Sequence, residues 1–141
     1  MAITAVYFAT NRALSGSAED WRSYGTSIVF PSDPTAITYA VALVDNTELT
    51  ELTADKTGLI TGITNIEHGH FSDSVISDLQ QPGGNLLVFI HGFDNSFEAA
   101  IIRTAFNREW FAQSVFRGPI RPSSLSAGHH WEIAGSAVAL E

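Results

Sequence analysis

Asn85-Leu86-Leu87-Val88-Phe89-Ile90-His91-Gly92-Phe93-Asp94-Asn95-Ser96-Phe97-Glu98-Ala99-Ala100 is the stretch that decides the fold. The unbroken apolar run from Leu86 to Ile90 is what a parallel strand buried on both faces requires. It stops abruptly at His91-Gly92, and a polar turn follows. Asn95 is placed to cap a helix, with Glu98 reaching back to complete a capping box. Phe97, Ala100, Ile101, Thr104, Ala105, Arg108, Phe111, Ala112 and Val115 then recur at helical spacing, and Arg117-Gly118-Pro119 ends the helix. A strand, a glycine turn and a helix in this order bring a backbone N–H to the end of a buried strand.

Working outward toward the N-terminus, residues 72–80, or 70–80, fit a helix with Phe71, Val75, Ile76 and Leu79 on one face. Pro82-Gly83-Gly84 separates it from the apolar run. Residues 3–9 are rich in β-formers, and residues 36–44 are nearly continuously apolar, so both are expected as strands. Residues 48–53 alternate polar and apolar and residues 58–64 suit a short strand. Residues 11–33 read as a long polar loop with a short strand near 27–30. Pro31-Ser32-Asp33-Pro34 is turn chemistry, because each proline disfavours a helical residue before it. Strand, helix, strand, turn and helix together spell an α/β fold with at least one parallel pair. Beyond Gly118 the chain turns to Ser, Ala, Gly and His, and no further strand is expected there. The division is therefore residues 1–118 as one domain-like part and 119–141 as an atypical tail.

Composition narrows the function classes. The 141 residues carry 45% hydrophobic and 16% charged side chains, a globular balance and enough chain for one core. The formal charge is -8 and the seven Lys and Arg are scattered. Nucleic acid needs clustered cations to displace counterions, so it is excluded as a partner, and anionic membrane surfaces repel the chain. There is no cysteine, hence no disulfide and no thiolate zinc site. No apolar run approaches the ~20 residues that cross a bilayer. The apolar start, Met1 to Phe8, has no positive leader and reads as a strand, which makes a cytoplasmic location the expectation.

Two stretches carry a family resemblance. Val6-Tyr7-Phe8-Ala9-Thr10-Asn11-Arg12 ends the first strand, and Ile90-His91-Gly92-Phe93-Asp94-Asn95-Ser96-Phe97 opens the last helix. Together, in this order, they resemble the α/β-hydrolase superfamily, and more narrowly the bacterial alpha/beta hydrolases of unknown function grouped as DUF900. The resemblance implies a partial α/β-hydrolase-type sheet with flanking helices, truncated after the strand–His-Gly–helix unit. It implies a serine esterase or lipase scaffold acting on a small ester. It also implies an oxyanion hole with one donor, the Phe93 N–H. Gly92 would let the backbone approach a ligand, and His91 would orient the turn. Gly-x-Ser-x-Gly occurs nowhere in the chain, so no catalytic residue is assigned and the chain is expected to be inactive alone. Read in a shifted frame, residues 121–132 can spell Val-Ile-Ala-Phe-Ser-Trp-Pro-Ser, the strand such hydrolases place next. A non-catalytic interaction module is the alternative, with self-association or a complementing chain covering an incomplete sheet.

Other groupings have simpler accounts. Glu67-His68-Gly69-His70 and His129-His130 offer imidazoles for a metal, but a solvated loop explains them, and no metal or cofactor is assigned. Ser72, Asp73 and Asp78 suit helix capping and solvation. Arg12 suits an anion site or, more simply, a contact with an acidic side chain that fixes the N-terminal loop. Phe97, Phe106, Trp110, Phe111 and Phe116 would serve an acyl pocket or the core. Phe106 and Trp110 lie off the apolar stripe, and Trp110 is the one expected to be exposed.

Overall fold

The computed structural model describes residues 2–29, 37–47, 49, 59–81, 86–90, 95–116 and 136–140, the stretches 112–116 and 136–140 as backbone only. The first strand, β1 (Ile3–Thr10), alternates its side chains between two layers. Thr4, Val6, Phe8 and Thr10 are buried on one face, and Tyr7 on the other. A strand with apolar groups on both sides must be covered on both. A short hairpin follows, β2 (Arg12–Leu14) and β3 (Tyr24–Ile28), with a single 3-10 turn at Trp21–Ser23 between them. The long loop expected over 11–33 is thus partly ordered, and its second strand starts earlier than expected.

β4 (Thr38–Asp45) runs antiparallel along the whole of β1, from Ile3 opposite Asp45 to Thr10 opposite Thr38. β5 (Ile60–Asn65) runs antiparallel to β4, with an irregular register between Leu43 and Val44. The extra residue is why Ile60 and Ile63, three apart, both reach the same buried layer. Asp45 closes the end of β4: the Thr47 hydroxyl and amide both donate to its carboxylate, and the hydroxyl bond first holds the Asp45 carboxyl below its ordinary range. The strand expected at 48–53 and the proline turn at 31–34 lie outside the described residues.

Helix α1 (His68–Leu79) begins before the expected 70 or 72. It packs on the Tyr7 face, where Tyr7 and Val75 are buried among Val41, Ile66, Phe71 and Leu79. Ile76, expected on that face, is 49% exposed instead. A bond from the Tyr7 hydroxyl to Asp78 Oδ2, 2.8 Å, pins the helix to the sheet. β6 (Leu86–Ile90) and α2 (Phe97–Phe116) appear where the sequence places them. α2 covers the opposite face, burying Phe97, Ala100, Ile101, Ile102 and Ala105 against Val6, Phe8, Ala40, Ala42 and Val44. Each Val, Ile or Phe side chain among them contributes roughly 1.5–3 kcal/mol on leaving water, and each Ala methyl less. The buried Thr104 hydroxyl is satisfied by the Ala100 carbonyl one turn back, at 2.8 Å.

Two expectations are corrected here. Ser136–Leu140, in the tail where no strand was expected, forms β7. It lies parallel between β1 and β6, Val6 and Phe8 facing Ala137 and Ala139 on one side, Leu87 and Phe89 on the other. The sheet order is β5-β4-β1-β7-β6, antiparallel in its first half and parallel in its second. Small alanine-rich residues give little strand signal. The slot between two strand edges, each with open N–H and C=O groups, supplies the reason instead.

The second correction concerns β6, which is an edge strand among the described residues. Its register puts Val88 beside Val138 and Tyr7, on the α1 side of the sheet. α1 does not reach that far, so Leu86, Val88 and Ile90 are exposed, Ile90 at 74%. An apolar run marks a strand, but only the neighbouring layers decide whether both its faces are covered. No helix among the described residues is long and apolar enough to cross a membrane.

Candidate functional site

The parallel strands β1, β7 and β6 all end on one side of the sheet, at Thr10, Leu140 and Ile90. Ligands of α/β sheets gather beyond the carboxyl ends of such strands. His91, Gly92 and Phe93, the oxyanion-hole candidates, follow Ile90 directly and lie outside the described residues. What flanks them is described. Before them stands the end of β6; after them come Asn95, Ser96 and the start of α2.

The cap of α2 is Ser96, one residue later than expected. The Ala99 N–H donates to Ser96 Oγ at 3.1 Å, and the Ala100 N–H to the Ser96 carbonyl at 3.0 Å. Asn95 and Ser96 are both good capping residues, so the arrival of the chain chooses between them. Glu98 is buried in the first turn, where the helix dipole favours a carboxylate.

Phe97, the first helical residue, locks this entry into the core. Its ring stacks on Tyr24, centroids 4.0 Å apart at 12°, and meets Phe8 edge-on at 5.0 Å. Phe8 meets Tyr24 edge-on as well, 5.7 Å away. The Tyr24 hydroxyl donates to the Ala18 carbonyl at 2.6 Å. Burial raises the Tyr24 hydroxyl to about 12. Phe97 is therefore core, not the lining of an acyl pocket.

Arg12 completes the join. Its Nη1 donates to the Gly25 carbonyl at 3.0 Å and its Nη2 to the Asn95 carbonyl at 2.8 Å. The planar guanidinium presents two separate nitrogens in a fixed fork to the two acceptors, a geometry an ammonium lacks. The two stretches singled out in the sequence, 6–12 and 90–97, thus meet twice: Phe8 on Phe97, and Arg12 on Asn95. Sequence reasoning gave Arg12 an acidic side chain as partner; the partners described are backbone carbonyls, which are not visible in a sequence.

The remaining candidates are dispersed. His68 and His70 sit in the first turn of α1, not on a strand, so residues two apart point away from each other. His70 pairs with Glu67 at 3.4 Å, both largely exposed, and His68 packs edge-on against Tyr39. Among the described residues no three His, Cys, Asp or Glu side chains come together to hold a metal. His129 and His130 lie outside those residues, as does the 121–132 segment. Ser72 and Asp73 are exposed, while Asp78 is the partner of Tyr7. A shallow, open cavity of about 280 Å³ lies at the β4–β5 side, between Tyr39, Asn65 and His68, away from β6.

One polar cluster escaped the sequence reading. The Asn46 side-chain amide donates to Thr4 Oγ1 at 2.8 Å, and the Thr4 hydroxyl donates to Glu109 Oε1 at 2.7 Å. Arg108, on the expected apolar stripe, pairs with the same Glu109 oxygen. The cluster fixes the middle of α2 to the start of β1, at the end of the sheet remote from Ile90. Past it the stripe fails: Phe111, expected in the core, is 46% exposed, with Trp110 edge-on to it and exposed as expected. The side chains of Ala112, Val115 and Phe116 lie outside the described set.

Comparison with known proteins gives no match among curated proteins and none among solved structures. One family model does match, over α1, β6 and α2 and so across the Ile90–Phe97 stretch, though not over the 6–12 stretch. Residues 67–116 match the family described as alpha/beta hydrolase of unknown function (DUF900), a match to part of that domain.

Proposed function

We propose that this chain is a cytoplasmic α/β-hydrolase scaffold of the serine esterase or lipase kind, with the Phe93 N–H as one oxyanion donor beside Gly92 and His91. The observation that carries the reading is the family match over residues 67–116, which includes the strand, His-Gly and helix unit. Two further facts support it. The segment follows β6 at the carboxyl ends of the parallel strands, and the 6–12 stretch packs against its helix through Phe8 and Arg12. A preorganised N–H of this type contributes roughly 2.7–4 kcal/mol to acyl transfer where a nucleophile is present. No Gly-x-Ser-x-Gly stands in the 141 residues, so this reading assigns no nucleophile among them. In this reading an ester is hydrolysed only where residues outside these 141 supply the nucleophile.

A second reading is favoured by β6. The exposed Leu86, Val88 and Ile90 form an apolar strip on an edge strand, as an interaction module or a self-associating chain would present. The test is hydrolysis of p-nitrophenyl acetate and butyrate by the pure chain. No turnover above buffer is expected. Turnover that is abolished by a single Ser→Ala substitution overturns the inactive reading and identifies the nucleophile.

A further inference from the structure

Arg12, the first residue of β2, holds two separate parts of the backbone. One is the Gly25 carbonyl, in β3; the other is the Asn95 carbonyl, at the entry of α2. Asn95 is also the residue directly after the 91–94 segment, so a hold on its carbonyl is a hold on the end of that segment. The hairpin and the helix entry are otherwise joined by the Tyr24–Phe97 stack, which fixes the distance between them. A ring stack leaves sliding and rotation open; a guanidinium anchored within the hairpin at the Gly25 carbonyl and donating to the Asn95 carbonyl does not.

We propose that Arg12 is a positioning residue that clamps the β2–β3 hairpin to the entry of α2. It thereby fixes Asn95, the residue that leads into α2. The clamp itself stands on the two bonds alone. Its consequence for an oxyanion donor rests on the hydrolase reading above. The hairpin also closes on this point by a second route, since the Val29 N–H donates to the Asn11 carbonyl at 2.8 Å beside Arg12. Displacement of the hairpin therefore moves Arg12, and with it the start of α2.

The test is amide hydrogen exchange on the intact chain, comparing the parent with Arg12→Gln and Arg12→Lys. The helix entry is read at the Ala99 and Ala100 amides, both bonded to Ser96, and the hairpin at the Val29 amide. The Phe8 amide, in the centre of the sheet, reads global opening. Arg12→Gln is expected to speed exchange at Ala99, Ala100 and Val29 by about tenfold or more, leaving Phe8 within about threefold. Lysine keeps the charge but not the fixed fork and reach of the guanidinium, so Arg12→Lys is expected to restore the protection only in part. Unchanged exchange at Ala99 and Ala100 overturns the clamp. So does an equal rise at all four amides, or failure of Arg12→Lys to fold, since either makes the role one of general stability. Exchange is read without any turnover, so the result stands apart from the ester assay that tests the hydrolase reading.

Discussion

Removal of the Phe97 ring probes the junction on which the candidate site is built. Phe97 is 2% exposed and touches both Phe8 and Tyr24. Truncating such a ring in a packed core costs roughly 3–5 kcal/mol, because the transfer energy is lost and the void closes only in part. The paired rings contribute about 0.5–1.5 kcal/mol each beyond area burial, which places Phe97→Ala at the upper half of that range. Domains of this size have only about 5–15 kcal/mol of stability in total, so the variant is expected to stand near the limit of folding. Phe97→Leu keeps most of the volume and loses the two ring pairs, for an expected cost of about 1–3 kcal/mol. Phe111→Ala is the reference: an aromatic on the same helix but 46% exposed, costing about 1 kcal/mol or less. Urea denaturation followed by far-ultraviolet circular dichroism gives the three values. If Phe97→Ala and Phe97→Leu cost no more than Phe111→Ala, the aromatic junction does not hold α2 to the hairpin and the placement of the site fails with it.

Alkaline pH tests the two buried tyrosines. Tyr7 is raised to about 12, by burial first and then by its bond and proximity to Asp78; Tyr24 is raised to about 12 by burial. The unfolded chain releases these protons near pH 10 and the folded chain holds them, so stability is full below pH 10 and falls as pH rises toward 12, by up to about 1.4 kcal/mol per unit for each tyrosine. Phe in place of both is expected to flatten denaturant midpoints between pH 10 and 12; an unaltered slope in that double variant refutes the assignment. Val88→Lys, on the open strip of β6, is expected to change the stability of the dilute chain by about 0.5 kcal/mol or less and to shift any concentration-dependent early elution in size-exclusion chromatography toward the monomer. A loss above about 2 kcal/mol at dilution would mean that the strip is buried within the chain.

Much of the fold is written locally. β1, β4, β6 and α2 were legible because strand alternation, apolar runs and the 3.6-residue period are properties of neighbouring residues, and tertiary contacts agreed with them. The resemblance over residues 67–116 was legible for a related reason: His-Gly after an apolar run is a local signature. The helix start was legible to within one residue, since Asn95 and Ser96 cap equally well until Arg12 and Phe97 fix the chain's approach. The start of α1 was misjudged because Glu67-His68-Gly69-His70 has the look of a loop, while the structure uses it as a first turn.

What the sequence alone determined is an α/β chain with a strand–His-Gly–helix unit and no serine elbow. Tertiary structure decided the rest, because it depends on which edges and faces meet. Ser136–Leu140 is a weak strand former that becomes β7 between the open edges of β1 and β6. Leu86 to Ile90 is a strong one that ends at the sheet's margin, apolar on a side that α1 does not cover. Arg12, expected to pair with an acidic side chain, becomes the link between hairpin and helix because folding brings the Gly25 and Asn95 carbonyls within reach of one planar cation. Periodicity records what each segment needs to bury; only packing determines what it finds.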